Sequence, residues 1–403
     1  MRIAAIIAEY NPFHNGHAYL AEKVRQETKA DYVIALMSGD YVQRGTPAAL
    51  DRYTRAKMAL TSGIDLVISY PTRFAASSAE SFAENAVRLL NSLGCIDILS
   101  FGSECGDLLR LQETAGLLLN ESSDFQAKIK ENLKKGLSYP TARARALGKN
   151  EDLLSSPNNI LAIEYLKALK KTNSSIKPFT IARKGAGYHN ESLNDTLSSA
   201  SALRLIMENI SIGDSYGMLG KAIPENALSV LKNHLSLYPV ITEDDLTLFL
   251  GERLCTCRNV KDLTAYRDIN EDIAGSILNK ENNFKSFSSF AEMLKSKTFT
   301  RTRLNRALLE LALDLKDDKN LNNGLFAHVL GFRKDAHELP GLIKDKATLP
   351  VLLRIAKEAS DLSGPAADLF EEEMRVSSLY ELLLSQKSEQ PIRPELSRGL
   401  ITI

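Results

Sequence analysis

The chain has 403 residues, more than one hydrophobic core usually holds, and 44% of them are hydrophobic, which predicts two domains with buried cores. Lys plus Arg and Asp plus Glu both total 50, so any affinity for nucleic acid must come from local patches and not from net charge. Four cysteines without a C-x-x-C pair, and the lack of any run of 18 apolar residues, exclude a disulfide-stapled protein and a membrane-spanning helix; we expect reduced thiols, no metal site and a cytoplasmic location.

The first half of the chain alternates strand and helix signals. Short apolar runs are followed by longer segments with helical spacing, such as "HAYLAEKVRQETK" and "SFAENAVRLLNSLG". The predicted strands are "RIAAIIA", "DYVIALMSG", "DLVISYP", "IDILSFGSE" and, after a helical insertion at about residues 107 to 172, "KPFTIARKG". This order predicts an α/β fold with a doubly wound parallel sheet and helices on both faces.

The second half carries mostly helical signals. Three glycines and a proline in "SIGDSYGMLGKAIP", at residues 211 to 224, are typical of a linker, and "SSASALRLIMENI" before it opens with serines suited to a helix cap. Beyond it, "ITEDDLTLFLGERL" and "RTRLNRALLELALDL" have helical spacing. We therefore predict two domains, residues 1–215 and an all-helical domain at residues 216–403.

The stretch "EYNPFHNGH" follows the first predicted strand, where proline, glycine and two histidines are poor choices for a packed helix. In a doubly wound sheet, ligands bind beyond the carboxyl ends of the strands, beside helix N-termini that favour anions. His14 and His17 can donate hydrogen bonds to phosphate oxygens, and Gly16 can let a flat ring or a phosphate approach the backbone. The alternative is a capped helix with two surface histidines. The arrangement favours a nucleotide site.

Pro12, His14, Gly16 and His17 resemble the H-x-G-H signature of nucleotidyltransferase-like enzymes, which attack the α-phosphate of ATP. With "SGDYVQRGTPA", "FGSE", "SPNNILAIEYLKAL" and "SSASALR", the motif resembles more narrowly the bacterial tRNA(Met) cytidine acetate ligase family. The resemblance continues through "TFTRTRLNRALL" and "HVLGFRKDA" and so covers most of the chain. It implies a nucleotidyltransferase-like, Rossmann-like catalytic domain that binds ATP, followed by a helical domain that binds tRNA.

The resemblance also implies which residues bind ATP. His14 and His17 would lie at the phosphates, and Asn159 and Arg183 match the family's other nucleotide contacts, with Asn158 an alternative to Asn159. Gly102 would face the adenosine, although an ordinary turn glycine explains it almost as well. The implied ATP-binding set is Ile7, Ala8, Glu9, Tyr10, Asn11, Pro12, Phe13, His14, Asn15, Gly16, His17, Ala18, Tyr19, Leu20, Gly102, Asn159 and Arg183.

Two further stretches extend the candidate site. In "SSASALR", Ser201 and Arg204 resemble a phosphate-binding loop, with a plain helix cap as the alternative. The stretch "SGDYVQR" follows the second predicted strand, where the other substrate would lie, and its candidates for acetate or the cytosine edge are Ser38, Asp40, Gln43 and Arg44. Because Asp40 would repel acetate, we expect it to meet the cytosine amine or a metal-bound water, and count it as catalytic with His14 and His17.

RNA must bind through local charge. From Asp124 to Asn190 there are 13 Lys or Arg and 5 Asp or Glu, a net charge of 13 minus 5, or +8, which predicts a basic face. A second basic stretch, free of acids, is either a solvated helix face or a grip on the tRNA backbone; its residues are Lys295, Lys297, Arg301, Arg303 and Arg306. Aromatic candidates for stacking on an unpaired base are Tyr10, Tyr41 and Tyr188.

The resemblance implies an enzyme, an adenylate-forming ligase that activates acetate with ATP and places acetyl on the wobble cytidine of elongator tRNA(Met). Mg²⁺ would accompany the nucleotide, and we expect no membrane or stable protein partner. Two other functions remain open from the residues alone. One is a small-molecule nucleotidyltransferase, and the other is a non-catalytic, nucleotide-sensing RNA-binding protein.

Overall fold

A computed structural model describes residues 1–137, 139–183, 199–209 and 215–403. The described strands are β1 (Ile3–Ala8), β2 (Tyr32–Ser38), β3 (Tyr41–Val42), β4 (Thr46–Pro47), β5 (Leu66–Tyr70), β6 (Ile98–Ser103), β7 (Lys177–Ala182), β8 (Ala327–Phe332), β9 (Val351–Leu352) and β10 (Ile401–Thr402). The described α-helices are α1 (Asn15–Thr28), α2 (Arg52–Leu60), α3 (Thr72–Ala75), α4 (Ala79–Ser92), α5 (Leu108–Leu119), α6 (Ser123–Lys134), α7 (Tyr139–Ala146), α8 (Pro157–Lys171), α9 (Ala200–Glu208), α10 (Ser215–Ala222), α11 (Glu225–Leu235), α12 (Thr247–Thr256), α13 (Val260–Leu263), α14 (Glu271–Lys280), α15 (Phe287–Leu294), α16 (Arg301–Ala312), α17 (Leu339–Lys346), α18 (Ile355–Glu358) and α19 (Pro365–Ser388). Within these ranges, no helix is both long and apolar enough to cross a membrane.

The five strands predicted in the first half all form, and they lie in the order β5-β2-β1-β6-β7 with every neighbouring pair parallel. The central strands β2 and β5 are buried almost throughout, as expected for a sheet covered on both faces. From β1 the chain first builds outward through β2 to β5, and then continues on the other side of β1 with β6 and β7. The strand order therefore reverses between β1 and β6, where ligands bind in such sheets. The predicted doubly wound α/β fold is confirmed.

The second half of the chain is not helical throughout, which refines the expected all-helical domain. After α16, β8 pairs antiparallel with β5, and β9 and β10 pair parallel with β8. The apolar run "AHVLGF" thereby satisfies the backbone groups at the edge of β5, which would otherwise stay unpaired. The domain division at residue 215 stays a prediction. The strands β8, β9 and β10 lie beyond that residue and extend the sheet of the first half. Helix α10 occupies the predicted linker from residue 215 onward, and residues 211–214 lie outside the described ranges.

The helices from α12 to α16 and the long helix α19 form a second apolar core. Its buried members include Leu250, Ile273, Phe290, Leu308 and Leu384, one from each of five helices. The leucines of "RTRLNRALLELALDL" lie on the buried side of α16, as the helical spacing predicts. Tyr41 of β3 also belongs to this core, so the second core begins at the hairpin that follows β2.

A buried ion cluster ties the last part of the chain to the sheet. The guanidinium of Arg52, on α2, lies 3.4 Å from a carboxylate oxygen of Asp40, 2.8 Å from Glu373 and 2.9 Å from Glu395. All four side chains are at most 5% exposed. Glu373 lies on α19 and Glu395 in a short 3₁₀ turn, Glu395–Ser397. Because unpaired buried charges are costly, this cluster holds both segments against the end of β2.

Replacing Arg52 by methionine tests this cluster. The change leaves three buried carboxylates without their counter-charge, and we expect the free energy of unfolding to fall by about 3–5 kcal/mol. Arg333→Met is the control, because its partner Asp335 is 64% exposed and such pairs contribute about 0–1 kcal/mol. Urea unfolding followed by circular dichroism measures both variants. Equal losses in the two would show that the cluster does not hold the chain together.

Candidate active site

The loop between β1 and α1 ends in a cap made of two histidines. His14 is the N-cap of α1, and its Nδ1 accepts a hydrogen bond from the Gly16 N–H at 3.1 Å. His17, at the third helical position, accepts one on Nδ1 from the backbone N–H of His14 at 3.2 Å. A capping box is usually built from Ser or Thr with Glu or Gln, and here two imidazoles fill both places. The helix cap proposed as the alternative to a nucleotide site is thus present.

Capping also sets which ring nitrogen holds the proton. A nitrogen that accepts a hydrogen bond carries no proton, so each neutral ring is protonated at Nε2. Burial and, to a smaller extent, the positive charge of Arg183 lower the pKa of His14 to about 4. Burial also lowers the pKa of His17, helped by the charges of His14 and Arg183. Both rings are therefore neutral near pH 7, each with an Nε2–H able to donate to an anion.

Close packing holds the two rings in place. The imidazoles of His14 and His17 stack with their centroids 3.8 Å apart, and Tyr10 meets His17 edge-on at 4.9 Å. A Cβ atom at Gly16 would lie 2.9 Å from Cε1 of His14, closer than real Cβ atoms approach other atoms. The structure thus gives a different reason for this glycine from the expected one: it makes room for the His14 ring.

Arg55, which the sequence analysis did not select, fixes the strand ends beneath this loop. Its buried Nη1 donates to the carbonyl oxygens of Glu9 at 2.7 Å and Ser38 at 3.0 Å, at the ends of β1 and β2. Asn11 adds a second anchor, because its Oδ1 accepts from the Ala49 N–H at 2.8 Å. The only signal in the sequence was an arginine on the same helix as Arg52, and its partners are invisible there.

The end of β6 brings the other predicted contacts to the same place. Nη1 of Arg183 donates to Oδ1 of Asn158 at 3.3 Å, and a Cβ at Gly102 would lie 3.2 Å from Cγ of Arg183. Asn159 is only 3% exposed, and its Oδ1 accepts from the Glu104 N–H at 2.9 Å. Asn158 thus reaches Arg183, while Asn159 holds the loop after β6. Which of the two meets the nucleotide stays a prediction.

These groups meet where the strand order reverses. The charge of Arg183, just beyond β7, acts on His14 and His17 beyond β1, so the two loops share one electrostatic environment. Gly102 and Asn158 border Arg183 from β6 and α8. The structure therefore brings together the histidines and the later candidates that the sequence placed about 90 to 170 residues apart.

Ser201 and Arg204 also face the β1–α1 loop. Nη1 of Arg204 donates to the carbonyl oxygen of Asn11 at 2.8 Å, and Nη2 donates to Oγ of Ser201 at 3.0 Å. The cap of α9 is a different serine, Ser199, whose side chain accepts from the Ala202 N–H at 3.2 Å. The side chain of Ser201 is therefore not used as the helix cap. Phosphate binding by Ser201 and Arg204 remains a prediction.

Asp40 requires a correction. It is 3% exposed, its Oδ1 accepts from the Arg52 N–H at 2.9 Å, and its Oδ2 accepts from the Ser377 hydroxyl at 3.1 Å. Burial raises the pKa of this carboxyl, against the lowering effect of Arg52. A carboxylate enclosed in this way cannot reach a cytosine or a bound water. The predicted catalytic role is wrong, and Asp40 is part of the buried ion cluster.

The other candidates after β2 are placed differently. Ser38 is fully buried, whereas Arg44 is exposed at the tip of the β3–β4 hairpin. The backbone N–H of Gln43 donates to Oε1 of Glu9 at 3.0 Å. The pKa of Arg204 is lowered by its burial and also by the charge of Arg44, so this hairpin borders the site.

Two of the three tyrosines predicted to stack on a base are buried. Tyr10 is 1% exposed and Tyr41 is fully buried, so neither ring can meet an unpaired base, and that prediction is wrong for both. Their burial follows from packing that the sequence could not show: Tyr10 lies against Phe13, and Tyr41 lies against Tyr380. Tyr188 lies outside the described residues.

The five predicted tRNA-binding residues differ in their surroundings. Arg306 is 9% exposed and its Nε lies 2.6 Å from Oδ2 of Asp268, so its predicted contact with tRNA is wrong. Arg301 pairs with Glu243 at 2.7 Å, and Lys295 makes an ion pair within its own turn. The two without an ion-pair partner in the described part of the chain are Lys297 and Arg303.

The basic segment at residues 124–190 has less unpaired positive charge than its composition suggests. Lys167 lies 3.5 Å from Glu80, Lys171 lies 3.3 Å from Glu84, and Arg143 pairs with an acid that precedes the segment. Acids outside residues 124–190 thus neutralise part of its net charge. The part of this segment from residue 184 onward lies outside the described residues.

Because the pKa of His14 is lowered in the folded protein, we expect the free energy of unfolding to depend on pH through this residue. His14→Asn keeps a side-chain acceptor at the N-cap but cannot be protonated near neutral pH. Because folding lowers the His14 pKa from 6.5 to about 4, the unfolded chain binds the extra proton between these values, and stability is lost as the pH falls through that window. The free energy of unfolding, measured from pH 8 to 4, should therefore fall more steeply for the wild type. Parallel curves would contradict the buried neutral imidazole.

Comparisons with known proteins agree with this geometry. A family model described as HIGH nucleotidyl transferase matches residues 1–394. The chain is 38% identical over 399 residues to the tRNA(Met) cytidine acetate ligase of Thermoanaerobacter sp. (strain X514), covering 96% of this chain and 97% of that protein. It is 32% identical over 415 aligned residues to the tRNA(Met) cytidine acetate ligase of Acetivibrio thermocellus, with both chains fully covered.

A solved structure shares the whole fold. The crystal structure of Thermotoga maritima TmcAL bound with alpha-thio ATP matches with a TM-score of 0.86 at 28% identity, covering 100% of each chain. The apo form of the same protein matches with a TM-score of 0.87. The family match and the relatives thus confirm the resemblance first seen around His14 and His17. The chain belongs to the HIGH nucleotidyl transferases and, within them, to the tRNA(Met) cytidine acetate ligase family.

Proposed function

We propose that this protein is an ATP-dependent ligase that activates acetate as acetyl-adenylate and transfers the acetyl group to the wobble cytidine of elongator tRNA(Met), forming acetylcytidine. The observation that carries the proposal is the pair of neutral imidazoles at the start of α1, each with an Nε2–H free to donate beside Arg183. Relatives covering the whole chain bear the name of this activity. The substrate tRNA and the reduced cysteines suit a cytoplasmic location.

In the first half-reaction, an acetate oxygen attacks the α-phosphorus of ATP, and the bond to the bridging oxygen of pyrophosphate breaks. Negative charge grows on the leaving pyrophosphate. The Nε2–H groups of His14 and His17 are preorganised to donate to that charge, and Arg183 and Arg204 supply positive charge beside them. Because the imidazoles are neutral, they act here as hydrogen-bond donors and not as cations.

In the second half-reaction, the exocyclic amine of the cytosine attacks the acetyl carbonyl, AMP leaves, and the amine loses a proton. Neither step needs a covalent bond to the protein. The enzyme has to bring the two reactants together and exclude water, which by itself can supply a large part of the rate. Asp40 is enclosed in the buried ion cluster, so we assign no described carboxylate as the base that takes the proton from the amine.

Mg²⁺ would come bound to the triphosphate of ATP. In the described residues, no group of three or more His, Cys, Asp or Glu could hold a metal ion. The phosphates of ATP and water would then supply most of the ligands of Mg²⁺, as is usual at sites where this ion arrives with a nucleotide.

The tRNA would contact the turn before α16 and the first turn of that helix. Lys297 is exposed, and the guanidinium of Arg303 lies over the ring of Phe299 at 5.2 Å. Cations at a helix N-terminus oppose the helix dipole and are unfavourable there unless an anion compensates them. A phosphate of the tRNA backbone is such an anion. Lys295 and Arg301 line the same turn but share their charge with acids.

Acetate-dependent release of pyrophosphate tests the activity. We expect release from ATP only when acetate is present, without any need for tRNA. His17→Ala should lower the turnover by about 100-fold and ATP affinity far less, because the donor matters most when pyrophosphate charge develops. Thermal unfolding without nucleotide controls for the lost cap. Pyrophosphate release at the same rate with and without acetate would favour a small-molecule nucleotidyltransferase. ATP binding without any pyrophosphate release would favour a nucleotide-sensing RNA-binding protein.

The tRNA surface is tested by the double variant Lys297→Ala, Arg303→Ala. Each lost phosphate contact removes close to one released counterion, so the slope of log affinity against log salt should flatten by about 1.4–1.8. Acetate-dependent pyrophosphate release should remain. The control is Lys319→Ala, Lys357→Ala, which removes two exposed lysines outside this stretch. If both double variants keep the wild-type slope, tRNA does not bind at the start of α16.

A further inference from the structure

We propose that Glu104 is a positioning residue for Arg183 and that it acts through the side chain of Asn158. The inference rests on the proposed function, in which Arg183 meets the phosphates of ATP. Glu104 is the last residue of the stretch "FGSE", in which the sequence points only to Gly102. Its carboxylate joins the end of β6 to the start of α8, two elements that both border Arg183.

Glu104 first serves as the cap of a helix to which it does not belong. Ser156 is the N-cap residue of α8, yet its side chain makes no capping hydrogen bond. Instead, Oε1 of Glu104 accepts from the Asn158 N–H at 3.3 Å, and Oε2 accepts from the Asn159 N–H at 2.8 Å. A carboxylate at a helix N-terminus satisfies free N–H groups and interacts favourably with the helix dipole. Its negative charge is thereby taken up locally, although it lies near a site for phosphates.

The same carboxylate orients the amide of Asn158. Oε1 of Glu104 also accepts from Nδ2 of Asn158 at 2.7 Å. An ionised carboxylate can only accept hydrogen bonds, whereas an amide has a donor end and an acceptor end. The NH₂ end must therefore face Glu104, and this leaves Oδ1 to accept from Nη1 of Arg183 at 3.3 Å. The charge of Glu104 in this way selects the amide orientation that can hold the guanidinium.

Glu104 is itself held from the other side. Oδ1 of Asn159 accepts from the Glu104 N–H at 2.9 Å and from the Cys105 N–H at 3.2 Å. Asn159 is only 3% exposed, so this contact is shielded from water. The backbone and the side chain of Glu104 are thus both fixed to α8, and Asn158 has a rigid neighbour to bond with.

Arg183 needs such a support because its side chain is long and lies at the surface. Gly102 leaves space for its aliphatic part, since a Cβ there would approach Cγ of Arg183 to 3.2 Å. A free arginine loses considerable rotamer entropy when it binds a phosphate, and prior orientation reduces that loss. The contact with Asn158 supplies the orientation, so ATP should bind more tightly when the chain from Glu104 to Arg183 is intact.

The test is a double-mutant cycle between Asn158→Ala and Arg183→Ala. Asn158→Ala removes the link but leaves both backbone N–H groups that Glu104 caps. We expect the dissociation constant of ATP, measured by calorimetry, to rise about tenfold in N158A and further in R183A. The double variant should match R183A alone, because Asn158 acts through Arg183. The proposal would be overturned if the double variant weakened ATP binding by the product of the two single effects, or if R183A bound ATP as tightly as the wild type.

Glu104→Gln separates positioning from simple stability. The variant should lose both thermal stability and ATP affinity, and in the R183A background it should lose only stability. The control is Glu164→Gln on α8, where the carboxylate pairs with Lys167 at 2.7 Å and takes no part in the contacts between Glu104, Asn158 and Arg183. If E104Q weakens ATP binding equally with and without Arg183, its role is structural and the inference fails.

The calorimetric cycle needs no acetate and no tRNA, so it is independent of the proposed reaction. A wild type that binds ATP but releases no pyrophosphate with acetate would refute the proposed function. The coupling between Asn158 and Arg183 would still be measured and would still decide this inference.

Discussion

The whole site depends on buried side chains that hold the carboxyl ends of parallel strands. Such strands end in loops whose backbone groups have no partner in the sheet, and leaving one of them buried and unpaired costs about 1–3 kcal/mol. Arg55 meets this need for β1 and β2 by donating to the carbonyls of Glu9 and Ser38. Asn159 does so for β6 by accepting from the Glu104 N–H. The loop between β1 and α1 can be irregular because these side chains fix the strand ends that carry it.

On that base, the two histidines form the cap of α1 and also carry the donors that the proposed function assigns to the ligand. A Ser and a Glu would also close the capping box, but the Glu would bring negative charge towards a phosphate. An imidazole has one nitrogen that accepts and another that donates. Nδ1 of His14 and of His17 accepts a hydrogen bond within the cap, and among the described residues neither Nε2–H has a hydrogen-bond partner. Burial keeps both rings neutral, so the donors persist across the physiological pH range.

The hairpin of β3 and β4 lies between the proposed nucleotide site and the helix proposed to bind tRNA. Gln43 donates its N–H to Glu9 at the end of β1, and Gly45 lies so close to α16 that a Cβ there would overlap the backbone nitrogen of Arg306. The buried ions around Arg52 hold α19 against the same region. The hairpin thus contacts both the end of β1 and α16, and it links the two regions to which the proposed reaction assigns the nucleotide and the tRNA.

The sequence by itself determined the features that depend on neighbouring residues. The alternation of strands and helices, the loop at His14 and His17 and the family resemblance could be read directly, because hydrophobic period, capping and motif spacing are local properties. The resemblance added Arg183 to this loop as a proposed nucleotide contact, and in the structure its charge acts on both histidines.

Only the tertiary structure decided what each charged residue does. Asp40 looked catalytic and Arg306 looked like an RNA contact, yet Ser377 and Asp268 enclose them from distant parts of the chain. Strand β8 pairs with β5, whose last residue lies 257 positions earlier in the chain (327 minus 70). The reason is physical: a side chain's charge is set by its type, but its solvation and its partners are set by which remote segments pack against it.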